Sequence, residues 1–133
     1  MKPFPGCNVA LSIGLLLGTQ SVLATNHVVT VGGNDNAFSP SNTDVMVGDT
    51  VTFTNAGGEH NVASVNNAPF AFRCSEDCGA NGGASSSAWS STITIPPEAA
   101  HRTVSFFCER HGFSMSGTLT TTNPVDLQTF EIE

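Results

Sequence analysis

Beyond residue 24, no stretch of this chain carries the three-and-four apolar spacing of a long amphipathic helix. Short runs rich in valine, threonine, isoleucine and phenylalanine recur instead, each ended by turn residues. They are HVVTV (27–31), DVMV (44–47), TVTFT (50–54), HNVASV (60–65), SSTITI (90–95), RTVSFFC (102–108) and SGTLTTT (116–122). In TVTFT, Val51 and Phe53 alternate with threonines, the period-two pattern of a half-buried strand. Seven or eight such strands, separated by loops such as GGNDNAFSPSN and NAGGE, predict an all-β fold, an antiparallel sandwich or barrel. The stretch from Pro69 to Ala88 is turn-rich and reads as a long loop joining two strands, with room for one helical turn. The tail 123–133 has some alternation and is expected to add an edge strand or to trail.

The first 24 residues differ in kind. One positive residue, Lys2, precedes an apolar run from Val9 to Leu17, and SVLA then offers Val22 and Ala24 at a peptidase-like spacing. This is the layout of a secretory signal peptide, with cleavage expected after Ala24. A membrane anchor would need about 20 apolar residues, which the run does not reach. Cys7 precedes the run, so it does not match a lipidation site, where the cysteine follows. The domain is therefore expected over 25–122, in a periplasmic or secreted protein with no stable membrane insertion.

Loss of Lys2 would leave three arginines against eleven acidic residues, one unit more negative than the whole chain's −7. Such a chain does not hold a phosphate backbone, so nucleic acid is excluded as a partner. An oxidising compartment favours disulfides. Cys74, Cys78 and Cys108 allow one pair and leave one over. Cys74 and Cys78 sit four apart in a turn-rich stretch and are expected to pair, the alternatives being free thiols or a second metal site. Cys108 is then the unpaired thiol, a hazard unless something else holds it.

The stretch FFCERHGFSMSG (106–117) supplies the candidate holder. Cys108 ends an apolar strand, His111 and Met115 follow in a short loop, and the next strand resumes at Ser116. A thiolate, an imidazole and a thioether favour copper over calcium or magnesium. A site of two histidines and a cysteine with a weak axial methionine is a blue-copper electron-transfer site. The second histidine must come from His27, His60 or His101. In GGEHN, His60 sits at the mouth of a strand after a flexible loop and is best placed. His27 lies close to the new N-terminus, and His101 occupies a polar turn.

Together, His60-Asn61, the pattern C-x2-H-x3-M-x-G at 108–117 and the phrase VGDTVTFTN resemble the cupredoxins, and among them the plastocyanin/azurin group of small blue copper proteins. The resemblance spans HVVTV to TLTTT. It implies a Greek-key β-sandwich, with His60, Cys108 and His111 as equatorial copper ligands and Met115 as the axial one. Asn61 would brace the two ligand-bearing loops through hydrogen bonds. The implied function is single-electron transfer between protein redox partners by a monomer, using one copper ion that cycles between Cu(I) and Cu(II). No open coordination position is implied, and so no enzymatic reaction. Gly112 and Phe113 would form the apolar patch where partners dock.

The chain departs from the family in three respects. Three residues separate His111 from Met115, where plastocyanins have four and amicyanins two. No G-x-Y precedes Cys108, since the chain has no tyrosine. The cysteine-bearing loop at 69–88 has no counterpart in plastocyanin. Other readings fit less well. A copper chaperone would be richer in methionine than Met46 and Met115 allow, and a Cys108–His111 nucleophile pair lacks an orienting third residue. A metal-free structural sandwich would leave the cluster without a purpose.

Overall fold

The computed structural model describes residues 21–122, together with Gly14 and Gly18. Most of the expected signal segment and all of the tail 123–133 lie outside the described residues. Among the described residues nine strands form two sheets. In chain order they are β1 (Asn26–Gly32), β2 (Phe38–Ser39), β3 (Asn42–Val45), β4 (Thr50–Gly57), β5 (Val62–Ser64), β6 (Arg73–Cys74), β7 (Ser90–Thr94), β8 (Thr103–Cys108) and β9 (Gly112–Thr121). One sheet has the order β2-β1-β4-β7, the other β3-β9-β8-β5-β6. The two strands beyond the predicted set are the pair of two-residue strands, β2 and β6, too short to show alternation.

The sheets are mixed, which corrects the antiparallel expectation. β1 runs parallel to β4, and β3 runs parallel to β9. Parallel neighbours need a crossover. The chain makes one by leaving β1, forming β2, crossing to β3 in the second sheet, and returning as β4. The expected helical turn in 69–88 is also absent. The described residues form a 3-10 turn at Pro97–Ala99 instead, in the PPEAAH segment, where Pro97 sets φ for a first helical position.

Period-two burial builds the core between the sheets. Val29 and Val31 of β1, Val51 and Phe53 of β4, Val104 and Phe106 of β8 point inward and are buried. Phe106 packs edge-on against Phe38 and Phe53, with ring centroids at 4.9 and 5.5 Å, an arrangement the ring quadrupoles favour. Gly117 lies opposite Phe106 in the β8–β9 ladder. A Cβ there would collide with the Phe106 ring and the Ser41 carbonyl, so only glycine lets the two strands and this ring coexist.

Candidate metal centre

β8 and β9 make a hairpin whose tip carries the candidate donors. Cys108 ends β8, opposite Gly112, where the ladder register shifts. A turn of Glu109, Arg110 and His111 joins the strands, and the His111 N–H donates to the Cys108 carbonyl at 3.3 Å. Gly112 has φ +66°, a conformation glycine adopts without strain. β9 begins at Gly112, not Ser116. Met115 is therefore a strand residue rather than a loop residue, on the inward face with Gly117, Leu119 and Thr121. The hairpin pairing carries the ladder past Phe107–Ser116 to the tip, so alternation starts four residues earlier than expected.

His60 arrives from elsewhere, between β4 and β5. Its ring is 1% exposed. Two glycines of positive φ, Gly32 at +68° and Gly58 at +90°, bring backbone against the Nε2 edge of this ring, and a Cβ on either would run into it. With both glycines against its Nε2 edge, the ring presents Nδ1 to Cys108, the orientation a metal ligand needs.

His60 Nδ1 lies 3.8 Å from Cys108 Sγ, and His111 Nδ1 lies 3.6 Å from it. The donor atoms of His60, Cys108 and His111 all fall within 4.8 Å of one another. Cys108 is buried and free, and Met115 is 1% exposed within the same packed cluster. Burial, then the nearby His111, pushes the His60 imidazole below its ordinary pKa, while Gly57 and Glu59 oppose the shift. A neutral imidazole is the form that ligates. Two imidazole nitrogens near one buried thiol, with the Met115 thioether in the same hydrophobic core as that thiol, suit a soft or borderline ion such as copper.

His27 and His101 are not part of this cluster. His27 Nε2 lies 2.8 Å from Asp49 Oδ2 at the far end of β1, and His101 is exposed with φ +57°.

Asn61 joins the segments that follow the two core donors. Its Oδ1 accepts from the Glu109 N–H at 2.9 Å. Its Nδ2 donates to Glu109 Oε2 at 2.6 Å and to the Gly82 carbonyl at 2.9 Å. Glu109 Oε2 also accepts from Arg73 Nε at 2.9 Å. Cys74 and Cys78 are disulfide-bonded. The loop they pin is not a plain connection, because it reaches the site at two places. Gly82 accepts from Asn61, and Ser85 exchanges both backbone hydrogen bonds with His60, at 3.0 and 3.1 Å. Sequence reasoning missed Gly32, Gly58, Gly82, Ser85 and Glu109. The doubled glycines in VGG and AGG were the one available signal.

Phe113 is 71% exposed and stacks on Phe107, with centroids 4.8 Å apart. It does not pack inward. Phe106 is core and Phe107 flanks the hairpin tip. Glu59 and Arg110, paired at 3.3 Å, lie on the exposed surface on the turns carrying His60 and His111.

With this geometry in place, comparison with known proteins is direct. The plastocyanin/azurin family of copper binding proteins matches residues 25–122, and the chain belongs to that family. Copper is accordingly its cofactor. Among solved structures, amicyanin from Paracoccus versutus (Thiobacillus versutus) is similar in fold. It is 24% identical, has a TM-score of 0.54, and aligns over 76% of this chain and 85% of its own. A purple cupredoxin from Nitrosopumilus maritimus is 18% identical with a TM-score of 0.53, over 71% of this chain and 98% of its own. No curated protein sequence matches. Among the described residues, no helix is long and apolar enough to cross a membrane.

Proposed function

We propose that this protein is an exported, monomeric blue copper protein that carries single electrons between protein redox partners. In this reading His60, Cys108, His111 and Met115 would hold the copper ion. The observation that carries it is the buried, unpaired Cys108 thiol facing the Nδ1 atoms of two histidines. When bound, copper supplies a one-electron couple.

The chain's own residues hold that site still. The Gly32–Gly58 cradle fixes the ring of His60. Asn61 ties the segment after His60 to the segment after Cys108. The β8–β9 ladder sets the spacing of Cys108 and Met115. A scaffold that resists movement keeps the cost of rearranging the site low as charge changes. His111 is partly exposed beside Gly112 and Phe113, and this edge, with its apolar ring, is the docking surface and the route for the electron. Four protein donors leave no coordination position for a substrate, so the protein is a carrier and not an enzyme. The signal-like segment before Thr25 supports export to the periplasm.

The test is a visible absorption titration of the mature protein with Cu(II), alongside Cys108→Ser. An intense thiolate-to-copper band that saturates at one equivalent, disappears on reduction and is missing in the variant is expected. A colourless protein that takes up only Cu(I) would overturn the carrier reading in favour of copper handling.

A further inference from the structure

At the opposite end of β1 from His60 lies a buried carboxylate. Asp49 is 2% exposed. Its Oδ1 accepts from the Thr25 backbone nitrogen at 2.9 Å. Its Oδ2 accepts from the Met46 N–H at 3.0 Å and lies 2.8 Å from His27 Nε2. The backbone around the pair is pinned as well. Thr50 N–H donates to the Thr25 carbonyl at 2.9 Å, and Ile95 N–H donates to the Asp49 carbonyl at 2.8 Å. A buried carboxylate is costly without a counter-charge. Among the described residues, the ion pairs of Arg73 and Arg110 go to Glu109 and Glu59, and no arginine is paired with Asp49. Its ionisable neighbour is His27, which is partly exposed.

Ser21 to Ala24 are exposed and lie outside every strand, and β1 starts at Asn26. We propose that Asp49 is the receptor for a new amino terminus, and that the mature chain begins at Thr25. A signal peptidase, with water as co-reactant, would cleave the Ala24–Thr25 peptide bond. The C–N bond breaks as the Ala24 carbonyl carbon takes the water oxygen and leaves as a carboxylate, and the Thr25 nitrogen keeps its own proton, gains both protons of the water and becomes an ammonium. The nitrogen already at 2.9 Å from Asp49 then carries a full positive charge, and a neutral amide bond becomes a charge-assisted one. Cleavage at this bond, and not one residue away, sets the charge against the carboxylate. Processing thus completes the anchoring of β1. This inference does not depend on the ligand assignment.

The chain's one lysine is Lys2, so a protein starting at Thr25 has a single amine, its terminus. Acetylation therefore removes that charge alone. The first measurement is the intact mass of the exported protein, expected to match a chain from Thr25 to Glu133. Any other first residue overturns the proposal. The second is thermal unfolding of the copper-loaded protein by circular dichroism, before and after acetylation. A fall in Tm of about 5 °C is expected, vanishing in Asp49→Asn. An unchanged Tm, or an equal fall in Asp49→Asn, overturns it. Should Asp49→Asn not fold, a chain that keeps Ala24 as its first residue replaces it. Its Tm is expected to lie below that of the Thr25 chain, and equality overturns the proposal.

Discussion

Asn61 and Glu109 grip each other twice, amide oxygen to backbone N–H at 2.9 Å and amide nitrogen to carboxylate at 2.6 Å. The residues immediately before them are His60 and Cys108, so this double contact sets the distance between two donors that are 48 positions apart. Replacing Asn61 by alanine leaves the Glu109 N–H without its partner and its carboxylate with Arg73 alone. Copper affinity is expected to fall about 10–100-fold, read by competition with a chelator. Glu109→Gln keeps an acceptor oxygen and should lose less. An unchanged affinity in Asn61→Ala would show that the brace does not set the site.

The glycine cradle makes a second, separable prediction. Gly58→Ala places a Cβ against the His60 ring at a backbone angle that favours glycine. It should cost about 1–3 kcal/mol of stability, read by denaturant unfolding with Trp89 fluorescence, and should weaken copper binding too. Gly33→Ala shares the backbone strain, but its Cβ would sit 3.6 Å from Ala56 Cβ, away from His60. It should lose stability and keep copper affinity. Equal copper affinities in the two variants would show that the cradle does not position the ring.

Phe113 tests the docking surface. Its ring is exposed and leans on Phe107, so Phe113→Asp alters the patch while leaving the buried donors in place. Electron exchange with partners should slow about tenfold, with the visible spectrum unchanged. Normal rates with several partners would remove this patch from the pathway.

Asp49 predicts how the fold responds to acid. Burial alone would raise its pKa, but the bonds from the Thr25 N–H, His27 and the Met46 N–H together outweigh burial and lower it. A carboxylate whose folded value lies below its unfolded one stabilises the fold fully above the ordinary aspartate range. That contribution drains away as pH falls through the lower folded value. Unfolding free energy of the wild type should therefore drop on acidification below about pH 4, and the drop should be smaller in Asp49→Asn. Parallel acid profiles would remove Asp49 as the cause.

Strands with strict alternation were legible from sequence, and Val51 with Phe53 is the plainest case. The donors were legible because Cys108, His111 and Met115 fall in one short stretch, whose spacing survives any folding. What was hidden depends on contacts between distant segments. The parallel pairing of β1 with β4 follows from a crossover between sheets that no local pattern records. Glu109 reads as an ordinary surface acid until Asn61 and Arg73 are seen to converge on it. Ser85 and Gly82 act on the site through backbone atoms, which side-chain identity does not announce. Met115 reads as part of a short loop before a strand at Ser116, yet the strand already starts at Gly112, with Ser114 and Ser116 at its outward positions.

The hairpin origin of the donors bears on metal release. Three of the four proposed ligands lie on one local element, and His60 alone is recruited across a long loop. A chain that unfolds does not scatter its donors; it keeps a thiolate, an imidazole and a thioether within eight positions. Any affinity the unfolded chain retains is subtracted from the stability the metal confers. The thermal benefit of copper should therefore track what His60 adds to the other three rather than the full strength of binding. A denatured chain would then still carry its ion, and refolding would begin from a loaded hairpin awaiting one histidine.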